Sequence, residues 1–386
     1  MNTPGTMEPK DIPKGFRASI GPQARTIFSL EKDMVDIFQS WGYQPILTPS
    51  LEYEDVIARA LDENTLPSTY RIIDSITGRV LLLRPDFTPS IARAYSTATT
   101  KLGDCVRLCY SGSVFRSINK HEGNQAQVVQ AGGEFLGCSS LEADFEAIAL
   151  CVHAIGQVSS HGLNLVLTHS RFIGGILAAL EVEPAMEKAI VSALHKKDLS
   201  ALKELLEQSG TTYHNREVLL KLPGLIGDTS LIDRARSLVC NETSHRALDE
   251  LGALLQKLEH IGCRITLDLS ELSYLNYYTG CSFELYDEEC GMKVAGGGRY
   301  DNLVGKYTHP TPAVGFAVNI NHLCEAGLRN QHEILVDYVV YSESDTLEQA
   351  QQEVERLRRQ GHSAFWITAS SAAQHQQRAR NIIKLP

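Results

Sequence analysis

Apolar residues recur at three- and four-residue spacing near the start of the chain. This spacing predicts an amphipathic helix over residues 23–41, and Gly42 ends it because glycine favours a helix terminus. The extended segment that follows carries Pro45 and Pro49, and proline is confined to sheet edges and interfaces. The helix is marked by Ile27, Leu30, Met34, Ile37, Phe38 and Trp41.

Strand-like segments dominate the rest of the first 169 residues. The order of elements favours an antiparallel sheet flanked by helices, because hairpins outnumber helical crossovers. The fold class is therefore predicted as α+β. The predicted elements are a short helix over 53–61, a hairpin over 70–83, a helix over 90–97, strands over 105–115 and 127–135, a helix over 141–158 and a strand over 163–168.

The pattern changes twice more along the chain. Leu- and Ala-rich helical spacing without strand signals fills the next 90 residues or so, and strands then return before a last β-α-β pattern and a polar tail over 372–386. We therefore expect a helical insertion in the core and a small, truncated α/β segment at the end. The predicted division is 1–169 and 261–330 for the core, 170–260 for the insertion and 331–386 for the last segment.

Composition narrows the class of protein. The 36 basic and 46 acidic residues give a net charge of −10, which argues against a large nucleic-acid surface. The nine cysteines are scattered without the paired spacing of a zinc site. No apolar run reaches the ~18 residues of a membrane span, and no signal region is seen at the start. We expect a cytoplasmic protein without a metal, a cofactor or a membrane contact.

Polar side chains collect where predicted strands end. Two carboxylates with an amide and a hydroxyl suit a ligand ammonium group, and paired tyrosines suit a small planar ring. Taken singly, Asp86 and Glu134 fit ordinary surface acids or caps, Thr88 fits a helix N-cap, and the stretch 272–280 fits a hairpin with core tyrosines. The set consists of Asp86, Thr88, Gln130, Glu134, Tyr277 and Tyr278, with a Gly-rich segment over 295–301.

Over residues 10–330 the chain resembles the catalytic core of the class II histidyl-tRNA synthetases, including their helical insertion. The helix 23–41 with the Pro49 segment resembles motif 1, a dimer-forming element in that family. The other resembling segments are 109–135 for motif 2, 275–280 for the histidine-binding motif, 295–301 for the Gly-rich motif and 313–320 for motif 3.

The resemblance implies a histidine pocket that this chain retains. The carboxylates, the amide and Thr88 would hold the amino-acid end, Tyr277 and Tyr278 would define the ring pocket, and Tyr300 would contribute. Asp86 stands where the family has glutamate, which shortens the side chain by one methylene and keeps the charge. The implied histidine-binding residues are Asp86, Thr88, Arg116, Gln130, Glu134, Tyr277, Tyr278 and Tyr300.

The ATP side departs from the family. Ser273 and His322 replace two arginines, Ile118 replaces a glutamate, and Val128 replaces the aromatic residue that stacks on adenine. A basic loop is replaced by residues 124–127, so only Arg116 of motif 2 remains. Each lost donor typically lowers the rate of such a reaction by about two to three orders of magnitude. We therefore expect no catalytic residues and no aminoacylation.

A chain that keeps histidine recognition and loses ATP and tRNA recognition resembles the regulatory subunits of ATP phosphoribosyltransferase. The resemblance implies a homodimer core that binds a short-form catalytic subunit and mediates feedback inhibition by L-histidine, the end product of the pathway, without tRNA. It also implies activation of that catalytic subunit. Two alternatives stay open: an active histidyl-tRNA synthetase, and a free-standing histidine sensor or a ligase for another acceptor.

Overall fold

A computed structural model gives the structure of two compact units. One unit comprises Met1–Ile20 with Ala24–Arg329, and the other comprises Gly21–Gln23 with Asn330–Pro386. The finer division of the first unit into a core and an insertion stays a prediction. The structure describes residues 12–61, 65–103, 105–117, 125–272, 277–326, 336–342, 347–367 and 379–385.

The larger unit mixes strands and helices. Its described strands are β1 Gln44–Pro45, β2 Leu51–Tyr53, β3 Arg71–Ile73, β4 Val80–Leu83, β5 Val106–Phe115, β6 Gln127–Leu136, β7 Leu163–His169, β8 Ile226–Gly227, β9 Arg264–Asp268, β10 Cys281–Asp287, β11 Lys293–Arg299 and β12 Ala313–Asn319. The helices up to residue 326 are α1 Pro22–Ser40, α2 Glu54–Ile57, α3 Thr88–Leu102, α4 Leu141–Val158, α5 Ser170–Ala178, α6 Pro184–His195, α7 Leu199–Gln208, α8 Tyr213–Lys221, α9 Leu231–Arg236, α10 Glu242–Lys257 and α11 Ile320–Glu325. None of the described helices is both long enough and apolar enough to cross a membrane.

Nine strands form the central sheet in the order β1-β5-β6-β12-β11-β10-β7-β9-β8. The predicted antiparallel, helix-flanked fold is confirmed with one refinement. The sheet is mixed, because β1 runs parallel to β5 and β7 runs parallel to β9. Strands β2, β4 and β3 form a separate antiparallel sheet that contains the predicted hairpin.

One alternative and one expectation from the sequence are wrong. The hairpin considered for the stretch 272–280 does not form, because β7 lies between the flanking strands β9 and β10 in the sheet. The predicted insertion is not wholly helical, since the two-residue strand β8 pairs with the end of β9. Both features depend on partners distant in sequence, which local periodicity does not register.

The two faces of the central sheet have different roles. Helices α1 and α4 pack on one face, where Phe38 contacts Phe316 edge to face at a ring-centroid distance of 5.3 Å. We call the face away from α1 and α4 the site face. On it, side chains that lie opposite each other on neighbouring strands form rows across the sheet. One such row runs through Thr168, Ser282, Gly298, Gly315 and Glu134.

The smaller unit is a three-stranded parallel sheet with one helix. Its elements are β13 Val336–Ser342, α12 Leu347–Arg359, β14 Ala364–Trp366 and β15 Ala379–Leu385, with strand order β14-β13-β15. The polar tail expected over 372–386 is therefore partly wrong, because β15 pairs with β13. Only Ile383 and Leu385 of this strand pack on the apolar cluster of the unit, which explains the weak signal in the sequence.

A buried ion pair joins the central sheet to α4. Arg299 at the end of β11 donates to Asp144 through Nε at 3.0 Å, and it also donates to the carbonyl oxygens of Cys138 and Ser140. The side chains of Arg299 and Asp144 are only 8% and 6% exposed. Nη1 of Arg299 also lies 3.3 Å from Oδ1 of Asp301, whose side chain is 36% exposed. Removing Asp144 would leave the buried Arg299 charge with this exposed partner alone.

We predict that Asp144→Asn lowers the free energy of unfolding by about 3 kcal/mol, because it removes the buried carboxylate partner of Arg299 and leaves only the partly exposed Asp301. Urea denaturation followed by circular dichroism measures this change. The matched control is Asp249→Asn in the exposed pair with Arg236, which should cost less than ~1 kcal/mol. Equal losses in the two variants would contradict the structural role of the buried pair.

Candidate functional site

The largest group of predicted site residues meets at a cleft on the site face. The beginning of α3 supplies one wall, the residues just before β10 supply another, and glycines of β11 and β12 form the floor. The cleft is small and open to solvent, with a cavity volume of about 60 Å³. It is lined by Asp86, Thr88, Tyr277, Tyr278, Gly296, Gly297, Tyr300, Gly315, Phe316 and Ala317.

Glu134 lies below these residues with its carboxyl group turned toward them. It is 1% exposed, its Oε1 accepts a 2.6 Å hydrogen bond from the Thr88 hydroxyl, and its Oε2 accepts one from the Tyr300 hydroxyl. Burial raises the pKa of Glu134 to about 8, although both hydroxyls act in the opposite direction. The structure therefore brings Glu134, Thr88 and Tyr300 into one hydrogen-bonded group.

Glycine is required directly opposite this carboxyl group. Gly315 of β12 pairs with Glu134 of β6, and a methyl group at position 315 would overlap Oε2 of Glu134. Two neighbouring strands can place a carboxyl group flat on the sheet only where the opposing residue has no side chain. Gly315 of β12 therefore has a steric reason to be glycine, although it lies outside the Gly-rich segment 295–301.

Two further polar atoms on the site face await a partner. Among the described residues, Oε1 of Gln130 and Oη of Tyr110 are buried without a hydrogen bond. Gln130 was predicted, and Tyr110 was not. Tyr110 pairs with Gly132 and stacks on Phe87 at a ring-centroid distance of 4.1 Å. The sequence could have placed Tyr110 near the site, because strand alternation puts residue 110 on the same face as Glu134.

Asp86 and Arg116 lie at the rim of the cleft. Nη2 of Arg116 is 3.7 Å from Oδ2 of Asp86, and Nε of Arg116 donates to the Pro85 carbonyl at 2.8 Å. Oδ1 of Asp86 accepts a long, 3.4 Å hydrogen bond from the amide of Thr88. One carboxylate oxygen of Asp86 is thus bonded to the start of α3, and the other faces Arg116.

The helix-cap interpretation of Thr88 is wrong. The N-cap of α3 is Phe87, which makes no side-chain capping bond, and the Thr88 hydroxyl donates to Glu134 instead. Proline follows at position 89, where its missing amide hydrogen costs the helix nothing. The Thr88 side chain therefore does not cap α3 and instead donates its hydrogen bond to the buried carboxyl group.

The paired tyrosines form an aromatic wall. The rings of Tyr277 and Tyr278 meet edge to face at 5.0 Å, and Tyr277 lies 6.1 Å from the ring of Tyr300. Burial raises the pKa of Tyr277 and of Tyr300 well above the usual tyrosine value, so both hydroxyls stay protonated. Neutral hydroxyls beside a carboxyl group can donate to it or to a ligand nitrogen.

At two positions where the resemblance implies ATP-binding groups, the side chains have other partners. Nδ1 of His322 lies 2.6 Å from the carbonyl oxygen of Lys293, so its ring is bound to β11. Val128 packs in an apolar cluster, and the Gln127 amide donates to Ser113 Oγ at 3.0 Å. Predictions at Ser273, Ile118 and Asn124 lie outside the described residues. In the described part of the chain, no three His, Cys, Asp or Glu side chains form a group that could hold a metal ion.

Known proteins resemble this chain in sequence and in fold. The family model described as "Histidyl-tRNA synthetase" matches residues 15–323. The ATP phosphoribosyltransferase regulatory subunit of Geobacter sulfurreducens is 33% identical over 367 residues, which cover 94% of this chain and 84% of that protein. The crystal structure of an ATP phosphoribosyltransferase regulatory subunit/histidyl-tRNA synthetase from Bacillus halodurans has a TM-score of 0.85 and 26% identity, and the match covers 100% of both chains.

A second solved structure supports the fold alone. Histidyl-tRNA synthetase from Nostoc sp. PCC 7120 has a TM-score of 0.75 and 21% identity, and the match covers 95% of this chain and 89% of that one.

The buried carboxyl group makes the stability of the unliganded protein depend on pH. Glu134 has a folded pKa of about 8, and an unfolded glutamate titrates near ~4.3. Between these values the folded state binds more protons than the unfolded state, so this contribution to stability is complete at low pH and is lost as the pH rises through 8. Glu134→Gln removes the titration while keeping the shape.

We therefore predict that the free energy of unfolding of Glu134→Gln, minus that of the unaltered chain, increases between pH 5 and pH 8 by roughly 1 to 3 kcal/mol. Urea denaturation at several pH values measures this difference. A difference that is constant over this range would show that Glu134 is ionised throughout.

Proposed function

This chain belongs to the ATP phosphoribosyltransferase regulatory subunits, a family with the histidyl-tRNA synthetase fold, and we propose that it binds L-histidine and inhibits a catalytic partner in response. The observation that carries this proposal is the cleft above Glu134, where Thr88 and the neutral Tyr300 line the space and both bond the buried carboxyl group, and where the neutral Tyr277 forms a wall. These groups match the ammonium and the imidazole ring of histidine.

The exposure of the two carboxyl groups favours one orientation of the ligand. The side chain of Asp86 is 29% exposed at the rim, whereas Glu134 is 1% exposed beneath the tyrosines. A full ammonium charge is less costly to place near water, and a weakly basic ring is less costly to bury. In this proposal Asp86 and Gln130 bind the ammonium group, while Glu134 binds a ring nitrogen.

A carboxyl group with a raised pKa suits an imidazole partner. Glu134 and a free imidazole have similar proton affinities, so one proton can be shared between them without creating an unpaired buried charge. The expectation that Glu134 binds the ammonium group is replaced here by this assignment to the ring. Thr88 and Tyr300 then act by holding the carboxyl group in place.

The proposal excludes adenylate synthesis by this chain. Catalysis of that step needs cations aimed at the phosphate of ATP. His322 is bound to the Lys293 carbonyl, and Arg116 is paired with Asp86. The chain would act instead as a non-catalytic, cytoplasmic subunit that activates a short-form catalytic subunit, without binding tRNA. Histidine must then bind the active and inhibited assemblies with different affinity, because otherwise it would shift nothing.

The proposal is tested by mixing this chain with a short-form ATP phosphoribosyltransferase. We predict that the two co-purify, that histidine inhibits the complex, and that Glu134→Ala weakens this inhibition at least ~10-fold while leaving the complex intact. The reason is that the variant leaves a ligand nitrogen without its acceptor. The matched control is Glu187→Ala on the exposed surface of α6, which should leave the inhibition unchanged.

Other outcomes identify the rival functions. Histidine-dependent exchange between ATP and pyrophosphate by the purified chain would establish an active synthetase. Failure to form a complex, together with measurable histidine binding, would indicate a free-standing sensor or a ligase for another acceptor. Unchanged histidine inhibition in Glu134→Ala would remove Glu134 from the site.

We also propose that two copies of the chain form a dimer through the β2–β4–β3 sheet and the segment before it. The apolar stripe of α1 is buried in the core of its own chain, whereas Phe28 on the same helix is 70% exposed. Large apolar side chains are also exposed nearby, and exposed apolar groups of this kind mark interaction sites. They are Leu47 at 95%, Leu51 at 39%, Ile72 at 43%, Ile73 at 73% and Ile76 at 92% exposure.

We predict that the double variant Ile73→Lys/Ile76→Lys is a monomer at micromolar concentration while the unaltered chain is a dimer, because two buried charges replace apolar contacts worth about 1.5 to 3 kcal/mol each. Light scattering coupled to size exclusion measures the mass. Tyr213→Lys, at a side chain 75% exposed on α8, is the control and should remain dimeric. A monomeric unaltered chain would refute the dimer.

A further inference from the structure

A second and larger cleft lies on the site face, over β7, β9 and β10. We call it the β7–β10 cleft. Its cavity volume is about 310 Å³, at the lower end of the range of small-molecule sites. None of the residues assigned to histidine lines it. The lining consists of Asn164, Val166, Thr168, Ile226, Thr266, Asp268, Glu271, Ser282, Phe283, Glu284 and Tyr286.

Two hydroxyl groups in the floor of this cleft have no hydrogen-bond partner among the described residues. Thr168 is 8% exposed and Ser282 is 2% exposed, and the oxygen of each side chain is buried. The two residues are directly opposite one another on β7 and β10. A buried polar group without a partner destabilises the folded protein, so a pair of them on one surface indicates a ligand that supplies the missing bonds.

The charge of the lining selects the kind of ligand. Three carboxyl groups border the cleft, from Asp268, Glu271 and Glu284, and none of its described lining residues is lysine, arginine or histidine. Glu284 forms an ion pair with Lys293, and Oδ1 of Asp268 accepts hydrogen bonds from the amide and hydroxyl of Ser270. The hydrogen bonds do not neutralise the carboxylate charge, so the formal charge of the lining is negative, which repels phosphates and carboxylates and attracts a cation.

The apolar lining limits the ligand to an organic cation. Val166 and Ile226 contribute aliphatic surface, and the Tyr286 hydroxyl is turned to Glu284 Oε2 at 2.6 Å, which leaves its ring as a wall. A hydrated metal ion gains nothing from such walls, and the described residues form no metal-binding group. A short carbon chain that ends in a charged nitrogen uses both the apolar walls and the carboxyl groups.

The two clefts are joined by one cross-strand row. Thr168 and Ser282 continue through Gly298 and Gly315 to Glu134, so only glycines separate the hydroxyl pair from the buried carboxyl group. A methyl group on Gly298 would approach Cβ of Ser282 to 2.6 Å. The absence of side chains between the clefts leaves the site face open for two ligands side by side.

We propose that the β7–β10 cleft binds a small organic cation, a primary amine or a guanidine on a short carbon chain. The cation lies between Asp268 and Glu271, and the hydroxyl groups of Thr168 and Ser282 bond its polar end. This site is separate from the one proposed for histidine, and it stands whether or not histidine binds beside Glu134.

Isothermal titration calorimetry on the full chain tests the proposal with putrescine as the amine probe and agmatine as the guanidine probe. At least one probe binds saturably, while 1,4-butanediol and inorganic phosphate do not. Thr168→Val/Ser282→Ala weakens this binding at least ~10-fold, because it removes both hydroxyl partners. Glu271→Gln, which keeps the shape of the side chain, weakens binding and reduces its dependence on salt.

Melting temperatures separate a ligand role from a structural role of the hydroxyl groups. Ser282→Ala leaves the melting temperature of the unliganded chain unchanged or raises it, because the hydroxyl has no partner to lose. Ser244→Ala is the matched control, since the Ser244 hydroxyl is equally buried but donates to the Phe172 carbonyl at 2.7 Å. That control lowers the melting temperature.

Several outcomes would overturn the proposal. These are no saturable binding of either probe, binding that is equal in the double variant, or binding of phosphate at the same residues. Loss of probe binding on formation of the complex with the catalytic partner would assign the cleft to a basic side chain of that partner. Glu134→Gln distinguishes the two sites, because it weakens histidine binding and leaves probe binding unchanged.

Discussion

A carboxyl group shielded from water is the constraint on which the site face depends. Glu134 can occupy the middle of a nine-stranded sheet only because Thr88 and Tyr300 donate hydrogen bonds to it and because Gly315 leaves space beside it. Thr88 begins α3, and Tyr300 follows β11. The packing of α3 on the sheet and the turn after β11 are thus tied to the same two oxygen atoms.

Local spacing was enough to predict the elements that are long and one-sided. The spacing of apolar residues in α1 gave its limits to within one residue, because a helix with one buried stripe must repeat every three to four positions. Strands β5 and β6 and helix α4 were predicted equally well. Strand β8 was missed because two residues carry no period, and β15 was missed because its apolar residues are interrupted by Arg380, Asn381 and Lys384.

The candidate site could be predicted only as a set of residues. The sequence indicated which side chains collect at strand ends, and a family resemblance grouped them. It did not indicate that Glu134 is deeper than Asp86, because depth is decided by α3 and by the residues before β10. Tyr110 was overlooked for a similar reason, since its burial depends on Phe87 and Gly132. The β7–β10 cleft requires β7 to lie between β9 and β10, which no local pattern encodes.

The two faces of the sheet divide stability from recognition. The face under α1 and α4 is filled by apolar side chains, and the Arg299–Asp144 ion pair joins the end of β11 to α4. The site face instead carries buried polar atoms that have no hydrogen-bond partner in the described part of the chain, on Gln130, Tyr110, Thr168 and Ser282. Buried polar groups without a hydrogen bond lower the stability of a fold. They are tolerated only where packing elsewhere, such as on the opposite face, contributes enough stability to offset this loss. A well-packed apolar face is therefore what allows the opposite face of the same sheet to keep two clefts with buried, unbonded polar atoms.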